Sequence, residues 1–172
     1  MKAQNLHDIF VLQLQDMKYV EEVIIDSLPK VIRVINHDDL KEAIERHLDE
    51  TKGQLETVKR ILQDENSDRS KKCESIDGLK KEVQEAMELD ADPAVRDTAI
   101  ISALQRIEHY EIAAYGTLVT YAQLLEEPDY EDQLAKILDQ EKAADKKLTE
   151  IATGSVFAEG INDEALVAVE KA

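Results

Sequence analysis

The chain has 172 residues, which is enough for one domain with a substantial core but short for two. It contains five glycines, three prolines and no tryptophan, and its 21 lysines and arginines against 38 aspartates and glutamates give a formal net charge of −17. This composition predicts an all-α fold, and the acidic balance argues against nucleic acid or an anionic membrane as a partner. A single cysteine, no signal peptide and no long apolar run predict a cytoplasmic protein.

The first half of the chain predicts two long helices. The first runs from about Ala3 to Leu28, where Pro29 breaks or kinks it because proline lacks the backbone amide N–H, and VIRVI (31–35) would continue as a turn or two before Asn36. Its core-facing stripe includes one acid: Leu6, Phe10, Leu14, Met17, Glu21, Ile24 and Leu28. The second helix starts at a cap on Asp38 or Asp39 and continues to about Leu62. One of its faces mixes polar and apolar residues: Ala43, His47, Glu50, Gln54, Val58 and Ile61.

A loop, a short helix and a third long helix follow. The charged segment DENSDRSKK (64–72) predicts the loop, and residues 75–87 predict the short helix. Asp92 before Pro93 is a strong start signal, a capping side chain followed by proline at the first helical position, for a helix to about Leu125. The stripe of that helix again contains an acid, and Glu108 adjoins it: Ile100, Leu104, Ile107, Glu111, Ala114, Leu118, Tyr121 and Leu125.

The last predicted long helix runs from about Asp129 to Ala152, after a turn at Glu127–Pro128, and Gly154 ends it. Two acids lie in the register of its stripe: Leu134, Leu138, Glu141, Asp145, Leu148 and Ala152. We therefore divide the chain into a helical bundle at 1–153 and a C-terminal tail at 154–172, with a further amphipathic turn or two in the tail.

Two helical hairpins joined by a long crossover with a short helix correspond to the ferritin-like four-helix bundle. A faint repeat aligns LQDMKYVEE (14–22) with LQRIEHYEI (104–112) and so pairs Glu21 with Glu111. A two-fold pseudo-symmetric bundle would then place the first long helix against the third and the second against the fourth.

Every long helix thus has an acid in its core stripe. A buried, unpaired carboxylate costs several kcal/mol, and several together repel one another. Two divalent cations would neutralise four glutamates, and hard carboxylate oxygens suit iron or manganese. We predict a metal site whose candidate ligands are Glu21, Glu50, Glu111, Glu141, His47, Gln54, Asp145 and Glu108. The alternative for any single acid is a place at the edge of its stripe, with its carboxylate in solvent.

Four stretches resemble the YciE/YciF-type ferritin-like family of the rubrerythrin/ferritin-like superfamily: HLDETKGQLE (47–56), KKCESIDGL (71–79), DPAVRDTAIISALQRIEHYEIAAYGTL (92–118) and EKAADKKLTEIA (141–152). The resemblance runs from about residue 5 to residue 152. It implies a homodimeric bundle with a dinuclear iron site, a link to bacterial stress responses and a ferroxidase activity. It matches Glu21, Glu50, Glu111 and Glu141 to the carboxylates of the four helices.

The chain departs from the Glu-x-x-His motif that ferritin-like di-iron proteins carry on two helices. Gly53 stands three residues after Glu50, and Ala144 three residues after Glu141. Gln54, Asp145, Glu108 or His47 would have to replace the imidazoles. We predict a protein that binds two iron ions, with manganese or another divalent metal as an alternative, and that reacts with dioxygen or peroxide. The competing hypothesis is a non-enzymatic structural or binding bundle, metal-free or with a purely structural metal.

Overall fold

The computed structural model describes residues 3–67, 69–154 and 159–168, and these residues form helices without any strand. The helices are α1 (Leu6–Ile32), α2 (Asp38–Asp64), α3 (Glu74–Met87), α4 (Pro93–Leu124), α5 (Pro128–Thr153) and α6 (Ile161–Ala168). The all-α prediction is confirmed. None of the described helices combines the length and the apolar character that a bilayer-spanning segment requires.

Four long helices form the bundle. Helix α1 packs against α2 and α4, and α5 packs against the same two helices, so that α1 lies diagonally across from α5 and α2 from α4. The crossover between the hairpins α1–α2 and α4–α5 contains α3, which lies against α1 and α4. This is the predicted ferritin-like arrangement, with the first long helix beside the third and the second beside the fourth.

The helix starts show one correct prediction and one error. Asp92 caps α4 by accepting a hydrogen bond from the amide of Ala94 at 3.1 Å, with proline in the first turn, as predicted. The predicted aspartate cap of α2 is wrong, because its N-cap is His37, whose side chain makes no capping hydrogen bond. Asp97 of α4 instead accepts hydrogen bonds from the amides of Asn36 and His37, at 3.0 and 2.8 Å from one carboxylate oxygen.

The helix ends also differ in how well the sequence predicts them. Helix α1 continues through Pro29 for one more turn to Ile32, where Val31 is buried in the core. Packing of that turn holds it helical although Pro29 donates no backbone hydrogen bond. Gly154 ends α5 with φ at 72°, as predicted.

The predicted tail contains α6, which packs against α4 and α5 and buries Ile161. One short amphipathic helix is therefore present, in agreement with the expected turn or two. Residues 155–158 and 169–172 of the tail, and Asp68 of the predicted loop, lie outside the described residues. The division of the chain at residue 153 stays a prediction.

The apolar core follows the predicted stripes closely on α1, where every member except the half-buried Leu6 is buried. On α4 two buried residues after Glu111 lie one position later than the predicted stripe residues. Tyr115 and Ala122 are fully buried there, whereas the predicted Ala114 and Tyr121 are only half-buried. On α5 the predicted stripe residues Leu138 and Asp145 are half-buried.

Candidate metal centre

Polar side chains from all four long helices meet in the middle of the bundle. They share an exposed fraction of 4% or less: Glu21 of α1, His47 and Gln54 of α2, Glu108 and Glu111 of α4, and Glu141 of α5. One ligand atom each of His47, Glu108, Glu111 and Glu141 lies within 4.8 Å of the other three. We call the six residues with an exposed fraction of 4% or less the buried cluster, and these four ligand residues are part of it.

Helix geometry explains why these residues meet. Glu108 and Glu111 are three apart on α4, so both side chains lie on one face of the helix. Residues 47 and 54 are two turns apart on α2, which places both on the face that looks into the bundle. On α1, α4 and α5 buried apolar residues flank the cluster along each helix, so the surrounding core fixes the helices and holds the polar atoms together.

Hydrogen bonds hold part of the cluster. The hydroxyl of Tyr115, which is fully buried, donates to Oε1 of Glu21, and the amide of Gln54 donates to Oε1 of Glu141. Six polar atoms have no partner while the carboxyls are ionised: Oε2 of Glu21, Oε2 of Glu108, Oε1 of Glu111, Oε2 of Glu141, Oε1 of Gln54 and Nδ1 of His47. Buried polar atoms are nearly always hydrogen-bonded in folded proteins, so such a concentration requires an explanation.

The electrostatics of the cluster favour uncharged carboxyls in the metal-free protein. Burial raises the pKa of Glu21, Glu108 and Glu111 well above the usual value, and the neighbouring charge of Glu141 raises each of them further. Burial also raises the pKa of Glu141 to about 7, against hydrogen bonds with Glu108 and Gln54 that lower it. These pKa directions favour a protonated Glu108 beside Glu141 in the absence of a cation.

His47 contributes a neutral imidazole. Burial, together with the nearby Arg46, lowers the pKa of His47 to about 4. Its Nε2 lies 3.3 Å from Oε1 of Glu108. Because the pKa of His47 is lowered and that of Glu108 is raised, a hydrogen bond between neutral partners is favoured over an ion pair. A neutral imidazole is the form of histidine that binds metals.

Two of the predicted candidates do not join the buried cluster. The side chain of Glu50 is 32% exposed and lies 3.9 Å from Arg46, at the edge of the cluster, where its charge contributes to the raised pKa of Glu141. Asp145 is half-buried and faces the outer side of α4, where its Oδ1 accepts a hydrogen bond from Gln105 at 3.0 Å and lies 3.4 Å from Nε2 of His109. Of the residues proposed to replace the missing imidazoles, the structure thus brings in His47, Glu108 and Gln54 and leaves Asp145 outside.

The sequence did not single out Tyr115 from the other tyrosines. Tyr115 lies four residues after Glu111, a spacing that puts it one turn further along the same face. The hydroxyl contact with Glu21 on another helix, however, depends on how α1 and α4 pack, and no pattern within α4 contains that information.

The chemistry of these side chains fits divalent cations. Four carboxylates bring a formal charge of about −4, which two divalent ions would neutralise, and the unpartnered atoms are mostly oxygens with one imidazole nitrogen. A cation would satisfy these atoms and would favour the ionised carboxylates that burial alone disfavours.

Comparisons with known proteins agree with this architecture. Residues 5–165 match the family model described as a domain of unknown function, DUF892. The chain is 37% identical over 158 residues to Protein YciF of Escherichia coli (strain K12), covering 91% of this chain and 95% of that protein.

Two solved structures extend the likeness to the whole bundle. The crystal structure of the E. coli stress protein YciF superposes with a TM-score of 0.82 and 34% identity, covering 99% of this chain and 100% of that one. YcfI of Rhodopseudomonas palustris, provisionally described as a structural protein, has a TM-score of 0.82 and 38% identity, with coverage of 87% and 96%. The chain therefore belongs to the DUF892 family and is similar to YciF-type proteins with a ferritin-like helical fold.

Proposed function

We propose that this protein binds two divalent metal ions, iron in the first place, in the buried cluster and that it acts in the oxidation of iron(II) or the reduction of peroxide. The observation that carries the proposal is the meeting of four buried glutamates and a neutral histidine whose free atoms have no other partner. Similarity to the stress protein YciF supports a role under stress.

Each side chain has a distinct task in this proposal. Glu21, Glu108, Glu111 and Glu141 would hold the ions through their carboxylates, and His47 would add a nitrogen ligand. Tyr115 orients Glu21 and Gln54 orients Glu141 through the hydrogen bonds that they donate. Near-complete burial keeps bulk water away from the carboxylates. The protons that the carboxyls hold at neutral pH leave as the cations bind.

When bound, iron supplies the electrons for reaction with dioxygen or peroxide. Oxygen-rich ligation with a single imidazole also suits manganese, so the identity of the metal is part of the hypothesis. The reactants, a homodimeric state and a cytoplasmic location remain predictions.

Iron retained per chain after anaerobic loading with iron(II) and removal of excess tests the proposal. We expect about two irons per chain in the unmutated protein, from the charge balance of four carboxylates. The double variant Glu111→Gln with Glu141→Gln should lose them, because amides keep the shape of the side chains but remove two negative charges.

Asp145→Asn is the matched control. It removes one acid from the same stripe of α5. The charge of Asp145 contributes to the raised pKa of Glu108, but its carboxylate contacts Gln105 and His109 outside the cluster, so iron retention should change far less than in the double variant. Equal loss of iron in Asp145→Asn and in the double variant would point to nonspecific attraction by the acidic surface. No retained iron in the unmutated protein would refute the proposal.

A structural bundle is the second candidate function, favoured by the description of YcfI as a structural protein. Dioxygen or peroxide consumption by the iron-loaded protein separates the two candidates. When excess iron(II) is supplied as the electron donor, a catalyst consumes more oxidant than its bound iron can reduce once, and consumes it faster than free iron(II) does, whereas a purely structural metal leaves consumption at the level of the free iron(II) alone.

A further inference from the structure

An open groove of about 750 Å³ runs between α2 and α5 on the outside of the bundle. Its α2 wall includes Arg46, Glu50, Gly53 and Gln54, and its α5 wall includes Lys136 and Gln140, with further residues toward the end of α2. The groove matters because the buried cluster has almost no contact with solvent: none of its residues is more than 4% exposed. Any reactant therefore needs a path through the protein.

Gln54 is the one residue that belongs both to the groove wall and to the buried cluster. Its Nε2 donates to Oε1 of Gln140 at 3.1 Å on the groove side and to Oε1 of Glu141 at 2.5 Å on the cluster side. Its own Oε1 is buried and has no partner. The side chain is only 2% exposed and lies between the groove and the buried cluster. Movement of one flexible side chain would connect them.

Gly53 lines the groove beside Gln54 and leaves it open there. A Cβ built at Gly53 would meet no heavy atom within 4 Å, so the space beside it is free. A second cavity, of about 10 Å³, touches His47 and Glu108 between the same two helices, but that volume is about one probe sphere, the least that holds a water molecule. The large groove is the better candidate for a path.

The charges around the groove indicate which solutes it admits. Arg46, Arg60 and Lys136 line it together with Asp49 and Glu50, a small cationic excess in a chain of net charge −17. Arg60 donates to Gln133 across the groove and so spans its two walls. A local cationic surface disfavours free divalent cations and favours neutral or anionic solutes.

We propose that the groove between α2 and α5 is the access route by which small neutral or anionic reactants, such as peroxide or dioxygen, reach the buried cluster, and that Gln54 is its gate. This deepens the proposed function, since it assigns a path to the oxidant of that reaction. The path itself is a property of the metal-free protein, and it can be tested without metal.

The experiment places a reporter thiol in the cluster. In a Cys73→Ser background, Glu111→Cys puts a thiol behind Gln54 while the contact between Gln54 and Glu141 is kept. Its labelling rate is measured with three methanethiosulfonate reagents that all transfer a substituted thioethyl group and differ in charge: neutral (hydroxyethyl), anionic (sulfonatoethyl) and cationic (trimethylammonioethyl). Rates are normalised to those of an exposed thiol from Gly78→Cys in the same background.

We expect Gln54→Ala to speed labelling by about tenfold and Gly53→Trp to slow it by about tenfold, because the first opens the gate and the second fills the groove. Gly78→Trp is the matched control: Gly78 is also an exposed helical glycine with free space beside its Cα, but it lies on α3. Its labelling rate should equal that of the parent. The normalised rate should be lowest for the cationic reagent.

Labelling in Gly53→Trp at the parental rate would overturn the route, and labelling in Gln54→Ala at the parental rate would overturn the gate. A normalised preference for the cationic reagent would overturn the assignment to neutral or anionic reactants. Because none of these outcomes involves metal, they are independent of the iron-retention experiment. A protein that retains no iron but labels as expected keeps the route and loses the proposed function.

Discussion

The middle of the bundle and its two ends are built on opposite principles. Toward the start of α1 the rings of Phe10 and Tyr130 stack with centroids 6.1 Å apart, and toward the other end of the bundle Leu28 and Ile100 are buried among apolar neighbours. Between these ends lies the buried cluster, with charged or polar groups from four helices and six unpartnered atoms. The ends have the composition that stabilises a fold, and the middle does not.

This difference shows how the protein tolerates a costly site. Desolvation of four carboxyls opposes folding, and hydrophobic burial at both ends offsets it. The apolar ends should therefore determine stability, while the middle should determine metal binding and the dependence on pH. Variants in each region can test this separation.

Ile100→Ala should lower the free energy of unfolding by about 2–5 kcal/mol, since it removes a fully buried side chain and leaves a cavity. Chemical denaturation measures the change, and iron retention per chain should stay the same. Leu124→Ala is the control, because Leu124 is 65% exposed and its loss should change stability by less than about 0.5 kcal/mol. Loss of iron in a folded Ile100→Ala protein would contradict the separation of the two regions.

Glu111→Leu should raise the free energy of unfolding of the metal-free protein by about 1–4 kcal/mol, because an apolar group of similar size replaces a buried acid with an unpartnered oxygen. The same variant should lose iron binding. Glu111→Gln keeps a polar group in place and should stabilise less. A destabilised Glu111→Leu protein would mean that Glu111 has a structural partner.

The stability of the metal-free protein should fall as pH rises from 6.5 to 8. The four glutamates have higher pKa values in the folded state than in the unfolded chain, where the pKa is near 4.5. This difference contributes fully to the free energy of unfolding below pH 4.5, and the contribution is lost as the pH rises through the folded-state pKa, which is about 7 for Glu141. His47 acts in the opposite direction only below 6.5, because its folded pKa is lowered to about 4. Glu141 alone accounts for about 1 kcal/mol in this window.

Thermal unfolding at a series of pH values checks this prediction. Glu141→Gln should flatten the curve, and saturation with a divalent metal should reverse its slope because metal binds the ionised carboxylates. A stability of the metal-free protein that rises between pH 6.5 and 8 would show that the carboxyls are not held protonated.

Tyr115→Phe should lower the free energy of unfolding by about 1 kcal/mol, the usual contribution of one hydrogen bond. It removes the hydroxyl that donates to Glu21 and leaves the aromatic ring in the core. Iron affinity should weaken as well, since Glu21 loses the group that orients it. Tyr121→Phe, on a half-buried tyrosine of the same helix, is the control in both measurements.

Much of the cluster could be predicted from periodicity. Glu21, Glu111 and Glu141 each occupy a position where three-and-four spacing places an apolar residue, and each is buried. Periodicity was less informative for Asp145, which has the same register on α5 but is half-buried. A helical stripe is wider than one residue, so its edge can turn toward a neighbouring helix, and Gln105 and His109 of α4 receive Asp145 there.

The helices, their order and the acids in their stripes follow from the sequence, because they depend on local periodicity, capping residues and proline or glycine at helix ends. Which of the polar groups meet depends on how the helices pack. The contacts of His47 with Glu108, Gln54 with Glu141, and Tyr115 with Glu21 join residues 61 to 94 positions apart in the chain. Such contacts depend on the rotation and crossing of packed helices, and a single helix does not encode either.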